Sequence, residues 1–164
     1  MSDGPRGLLA RMYGAAIFDS AVYEEVGADR GATGQATFVV VLASAAAASH
    51  DYGLGWLTMA SSGLANLVQW LVWAGITYLV GDKLLGGTAT WGQLLRTLGF
   101  ARGPGILTVF VPFIGGIQIA VQVWVLVAGI VAIRQALGFG TVRALLTAVI
   151  GMIPYWIYHT LFLH

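Results

Sequence analysis

Few side chains in this 164-residue chain are placed to do chemistry. His50 stands next to Asp51, and a histidine beside a carboxylate suits metal binding or proton exchange. The pair falls in a predicted outer loop, however, where adjacent polar residues are ordinarily solvated. His159, among Tyr155, Trp156 and Tyr158, is the one histidine or charged side chain within a predicted membrane segment other than those at the segment ends. Such groups are costly in lipid and often serve proton relays or ligands, but an aromatic setting near the outer interface points to a structural role. Gly86-Gly87-Thr88 lacks the lysine and following hydroxyl residue of a phosphate-binding loop and reads as a flexible turn. The chain has no HExxH pattern, no paired carboxylates and no Ser/His/Asp set at a plausible depth. It also has no cysteine, which excludes disulfides, thiol catalysis and Cys-ligated metals. The expectation is a protein that is not an enzyme and carries no cofactor.

The remaining polar groups in apolar segments are amides. Asn66 and Gln69 lie three apart near the middle of the second predicted span, and Gln118 and Gln122 are i, i+4 neighbours in the outer half of the fourth. Facing one another, they would form a seam of interhelical hydrogen bonds worth about 0.6–2 kcal/mol each. The sharper alternative is a small polar cavity, open to the outer leaflet, that accepts a lipid headgroup or a solute. A transporter would show more polarity, or broken helices in matching halves.

The elements that carry these residues are set by composition and charge. The chain is 58% hydrophobic and 9% charged, with a mean hydropathy of +0.82, whereas soluble domains are about 25% charged. Lipid must therefore be its solvent. A net charge of +1 gives no reason to expect a nucleic-acid partner.

Membrane crossings follow from the uncharged runs, which cover residues 31–50, 52–81, 103–133 and 144–164. About 20 apolar residues of helix cross the hydrocarbon, so three runs hold one span each. The run 103–133, as one helix, would be about 46 Å long. One crossing there would put Arg134 and Arg143 outside. Two crossings, turning at 112–116, keep all 8 Lys and Arg residues on the cytoplasmic side, as membrane insertion favours. Pro112, Gly115 and Gly116 supply the turn chemistry. The reading is an all-α polytopic membrane protein. A cytoplasmic amphipathic segment over 1–30 precedes five transmembrane helices within 31–164, with spans near 33–50, 57–80, 104–114, 117–135 and 144–163. The start of the chain does not read as a signal peptide, because its apolar stretch 13–18 is too short and ends at Asp19.

The third crossing is short. Before it, Thr90 and Gln93 have the form of a capping box, opening a helix with Trp91, Leu94, Leu95 and Leu98 on one face and Gln93, Arg96 and Thr97 on another. Two arrangements are open. This helix lies in the inner interface and turns into the membrane at Gly103-Pro104-Gly105, the favoured version, or 91–112 is one tilted helix. Either way Arg96, Arg102, Arg134 and Arg143 are expected at inner-leaflet headgroups. At the start of the chain, Leu8, Leu9, Met12, Tyr13, Ala16 and Ile17 with Arg6 and Arg11 alongside suit a surface-lying amphipathic helix, and a second short helix covers 21–26. The acidic residues Asp19, Glu24, Glu25 and Asp29 offset the basic ones nearby. Small residues in the alanine run 45–48 and the pairs Gly116/Ala120 and Ala128/Ala132 favour close helix approach, which would bury the first span. Pro154 is expected to kink the last.

The run Trp91-Gly92-Gln93-Leu94-Leu95-Arg96-Thr97-Leu98-Gly99-Phe100-Ala101-Arg102-Gly103-Pro104 is followed by an apolar hairpin, Trp124, Ala132-Ile133-Arg134-Gln135-Ala136 and Thr141-Val142-Arg143-Ala144. This order resembles the Yip domain, the Ypt/Rab-interacting protein family, in its short bacterial form, most clearly over residues 62–162. The resemblance implies five membrane helices and a cytoplasmic N-terminus. In eukaryotic members it also implies vesicle trafficking, small-GTPase binding and membrane shaping. The eukaryotic Asp-Leu-Tyr-Gly-Pro motif is only echoed by Met12-Tyr13-Gly14-Ala15, so a small-GTPase partner is not expected here. The expected function is membrane organisation in a bacterial inner membrane, with lipids as partners and self-association as an option. The alternative is an accessory subunit or assembly factor of a larger membrane complex, and a small transporter or lipid-binding protein ranks below both. A compartment-sensitive reporter fused after His164 should read outside the cytoplasm, and a cytoplasmic signal would overturn this topology.

Overall fold

The computed structural model describes residues 6–49, 55–114 and 116–162, with side chains placed as far as Ile153. Every regular element among them is helical: α1 (Leu8–Ala16), α2 (Ser20–Ala28), α3 (Ala32–Ala48), α4 (Trp56–Tyr78), α5 (Trp91–Ala101), α6 (Ile117–Leu137) and α7 (Thr141–Phe162). A π-helical segment, Leu79–Leu84, prolongs α4, and a 3-10 segment, Gly103–Phe110, follows α5.

Local chemistry explains where the helices begin and end. The Gln93 N–H donates to Thr90 Oγ1 at 3.3 Å while Gln93 Oε1 accepts from the Thr90 N–H at 2.7 Å, so the capping box predicted for α5 is formed. Asp19 caps α2 by accepting from the Ala21 N–H at 3.0 Å. Gly116, at φ +80°, opens α6, and Gly138, at φ +66°, closes it while the Phe139 N–H reaches back to the Arg134 carbonyl at 3.0 Å. These left-handed positions suit glycine because it has no Cβ to clash.

Residues 103–133 are therefore not one rod. The 3-10 segment ends at Phe110, turns occupy 111–114, and α6 starts at Ile117, which is the break expected at Pro112 and Gly116. Gly115 lies outside the described residues. By length and apolar composition, Trp56–Leu84 and Ile117–Leu137 qualify as membrane-crossing helices, and α2 with α3, bent by 119° at their junction, makes a third if counted as one span. The chain is thus built like a membrane protein.

Packing depends on close approaches at glycine. A Cβ on Gly99 would come within 2.9 Å of Ala36 Cβ and 3.2 Å of its carbonyl oxygen, so α5 and α3 touch almost backbone to backbone. Trp73 of α4 is wedged between α6 and α7: added Cβ atoms would lie 2.6 Å from its ring at Gly129 and 2.8 Å at Gly151. Ala128 and Ala132 are buried in the same core, whereas Gly116 and Ala120 are exposed. The first span is buried on one side only. Helix α3 packs Ala36, Val39, Val40 and Ala43 inward and turns Phe38, Val41 and Leu42 outward, because its partners α4, α5 and the 3-10 segment leave one flank open. The kink expected at Pro154 and the setting of His159 fall beyond the described side chains, and His50 with Asp51 lies outside the described residues.

Replacing Gly129 by Val should lower the thermal midpoint in detergent, since overpacking a filled site costs about 1–3 kcal/mol. Adding Trp73→Leu should recover part of that loss. Gly34→Ala, where nothing lies within 4 Å of the new methyl, should cause no loss because alanine is the better helix former.

Candidate functional site

Charge, rather than an amide seam, organises the polar interior. Arg11, on α1, is only 2% exposed. Its Nε donates to Glu25 Oε1 at 3.0 Å, Nη1 to Gln35 Oε1 at 3.0 Å and Nη2 to Asp29 Oδ2 at 2.8 Å. One guanidinium thus joins α1 to α2, to the loop after α2 and to α3. Burial disfavours its charge, but the Asp29 and Glu25 carboxylates more than offset this and raise its pKa. Arg6 adds a second cation on Glu25, at 3.3 Å.

Asp29 is held below the usual carboxylate value first by the Arg11 hydrogen bond and then by the Gly31 N–H. A carboxylate with a depressed folded pKa contributes stability above its ordinary value, and that contribution is lost as pH falls through the folded value.

Arg96 also holds the C-terminal end of α2. Its Nε donates to the Val26 carbonyl at 2.9 Å, Nη2 donates to the Gly27 carbonyl, and Nη1 lies 3.5 Å from Thr33 Oγ1. A cation on the last carbonyls of a helix satisfies groups that lack intrahelical partners and complements the helix dipole. Expected at lipid headgroups, Arg96 is instead enclosed by protein. The face of α5 carrying Arg96 and Thr97 packs under α2, where Thr97 meets Gly27. Helix α5 is accordingly a central strut whose polar face is covered by protein. Sequence periodicity marked that face as polar but could not show that α2 covers it.

Two further bonds fasten the hairpin. Tyr23 Oη donates to the Ala15 carbonyl at 2.9 Å between α2 and α1, and Trp124 Nε1 donates to the Ala16 carbonyl at 2.8 Å, tying α6 to the end of α1. Arg102 is mostly buried at the base of the 3-10 segment, its Nε without an acceptor among the described residues, and burial pushes its pKa down to about 10. Arg134 and Arg143 are exposed on either side of the α6–α7 turn, Arg143 lying 6.0 Å from the Phe139 ring centroid. Pro104 is buried at the start of the 3-10 segment, and Pro112 is exposed in the turn.

The four amides are not joined. Asn66 and Gln69 share the Trp73 side of α4, and Gln118 and Gln122 share the Gly129 side of α6, by helical register. Those sides meet at Trp73 and Gly129. Farther out, Gln118 and Gln122 are exposed, and Asn66 Nδ2 donates to the Ser62 carbonyl of its own helix at 3.0 Å. No hydrogen bond connects the two pairs among the described residues.

A family model described as the Yip1 domain matches residues 14–162, nearly the whole chain. The chain belongs to the Yip1 domain family. No curated protein and no solved structure matched it. In this Yip1-domain protein the match begins at Gly14, so it takes in α2 and the last turn of α1 as well as the apolar helices. Sequence reasoning missed the Arg11 cluster. The available signal was Glu25 and Asp29, four apart at the end of a short helix, two carboxylates within reach of a nearby arginine.

Arg96→Gln should destabilise the Yip1-domain protein by about 1.5–3 kcal/mol, the range for a hydrogen bond to a charged group. Arg96→Lys should recover only part, because an ammonium cannot reproduce the guanidinium fork. Protection of α1 from hydrogen exchange should stay constant from about pH 5 to 8 and fall only below the ordinary Asp value, with Asp29→Asn reducing it at neutral pH.

Proposed function

We propose that this Yip1-domain protein is a non-enzymatic membrane organiser that crosses the inner membrane of a bacterium five times, with its N-terminus cytoplasmic and its C-terminus outside. In this reading α3, α4, the 3-10 segment, α6 and α7 are the crossings, and Arg134 and Arg143 contact inner-leaflet headgroups.

The observation that carries the reading is the short third passage. Gly103–Phe110 is an eight-residue 3-10 segment, about 16 Å long at 2.0 Å per residue, against about 30 Å of hydrocarbon. Cationic Arg102 stands at its base, and its far end is apolar: Phe110 and Ile114 are exposed and Phe113 is 82% exposed. A passage about half as long as the hydrocarbon is thick, with such a tip, favours local thinning of the bilayer around it. Five helices, one of them stunted, then make a body that deforms the membrane it occupies.

Purified protein reconstituted at high density should convert large phospholipid vesicles into smaller or more curved ones in cryo-electron micrographs. Vesicles that keep their size and outline at that density would overturn the shaping role. Native pull-down in mild detergent separates the other reading, since one stoichiometric heterologous partner would make the chain a subunit instead.

A further inference from the structure

Helix α1 is built inside out. An amphipathic helix at a protein–water boundary turns its charge outward and its apolar residues inward. Here Arg11 points inward to Glu25, Asp29 and Gln35, while Leu9, Tyr13 and Ile17, four residues apart on one stripe, are 78%, 69% and 53% exposed. Enclosing a cation costs free energy that these partners offset, whereas leaving that apolar stripe in water would only add to the cost. The arrangement suits a helix whose outer surroundings are apolar.

Backbone satisfaction at the tip of the α1–α2 hairpin fits the same surroundings. In hydrocarbon no water is available for end-of-helix groups. The Phe18 and Asp19 N–H groups donate to the Ala15 and Gly14 carbonyls at 3.2 and 2.9 Å. The Ala15 and Ala16 carbonyls accept from Tyr23 and Trp124 side chains. The turn residue at φ +64° is Phe18, where glycine would be easier, so the tip carries a large apolar side chain at a position that strains it.

Continuity with α6 identifies what covers the stripe. Trp124 lies seven residues after the start of α6 at Ile117 and thirteen before its end at Leu137, about 20 Å of helix from that end. The tip therefore abuts the body of a helix long and apolar enough to cross a membrane. Between them runs an open groove of about 520 Å³, lined by Ile17 and Phe18 on one bank and Ala120, Val123, Trp124 and Val127 on the other. Whatever solvates Val123 and Val127 also solvates Ile17 and Phe18.

We infer that the α1–α2 hairpin is embedded in the membrane, its tip reaching the middle of the bilayer beside α6, with Leu9, Tyr13, Ile17 and Phe18 in contact with phospholipid acyl chains, which also fill the groove beside Trp124. The inference rests on the membrane reading given above but not on membrane shaping. It makes the N-terminal hairpin part of the membrane-embedded body rather than a cap in water.

The absence of native cysteine makes the test direct. Full-length Leu9→Cys, Tyr13→Cys and Ile17→Cys variants, with Arg30→Cys as the aqueous reference and Val123→Cys as the lipid reference, would each carry a nitroxide label in phosphatidylcholine–phosphatidylglycerol vesicles. All five side chains are exposed, so circular dichroism should confirm an unchanged helical fold. Labels at Tyr13 and Ile17 should collide with oxygen in preference to a water-soluble nickel chelate, as at Val123, whereas Arg30 should show the reverse. Tyr13 and Ile17 labels that follow Arg30, or that are shielded from both agents by a second protein, would overturn the inference. Embedded labels in vesicles of unchanged shape would instead remove the shaping function and leave the hairpin's placement intact.

Discussion

A guanidinium in an apolar body must be given partners. Arg11 and Arg96 are both enclosed by protein, and between them they determine how the first thirty residues fold. Arg11 gathers Glu25, Asp29 and Gln35 around one cation, and Arg96 takes up the last carbonyls of α2. The short helices α1 and α2 would be marginal alone. Fastened at the C-terminal end of α2 by both arginines and at the end of α1 by Trp124, they become part of the bundle.

Contact between the longer helices has a different origin. Lipid gives apolar side chains no reason to prefer a neighbouring helix, so association depends on close packing. Gly99 lets α5 reach α3, while Gly129 and Gly151 receive Trp73. The same wedge explains the fate of the amides. Helices α4 and α6 meet at Trp73, and nearer the start of α6 Gln118 and Gln122 stand exposed. Residues that share facing sides by register need not touch when the helices touch elsewhere.

These two kinds of contact hold the molecule together. The hairpin, its ion pairs and the strut α5 pack against the 3-10 segment and α6, and the apolar turn after the 3-10 segment projects Phe113 and Ile114. A body of this form does not match a flat bilayer of uniform thickness, which is the physical basis of the proposed role in a Yip1-domain protein.

Much of this architecture was legible in the residues. Uncharged runs and turn chemistry located α3, α4, α6 and α7 to within a few residues, and Thr90 with Gln93 announced the start of α5, because helix length, capping and charge exclusion are local properties. The interior was less legible. Whether Arg96 faced headgroups or carbonyls, whether Arg11 pointed outward or inward, and whether four amides met across two helices all depended on which surface covers which. By itself the sequence determined that the chain is helical, apolar and interrupted at Pro112 and Gly116. Only the tertiary structure decided that α2 would lie over α5 and draw the arginines inside, because a side chain's partners come from distant segments whose approach is set by packing.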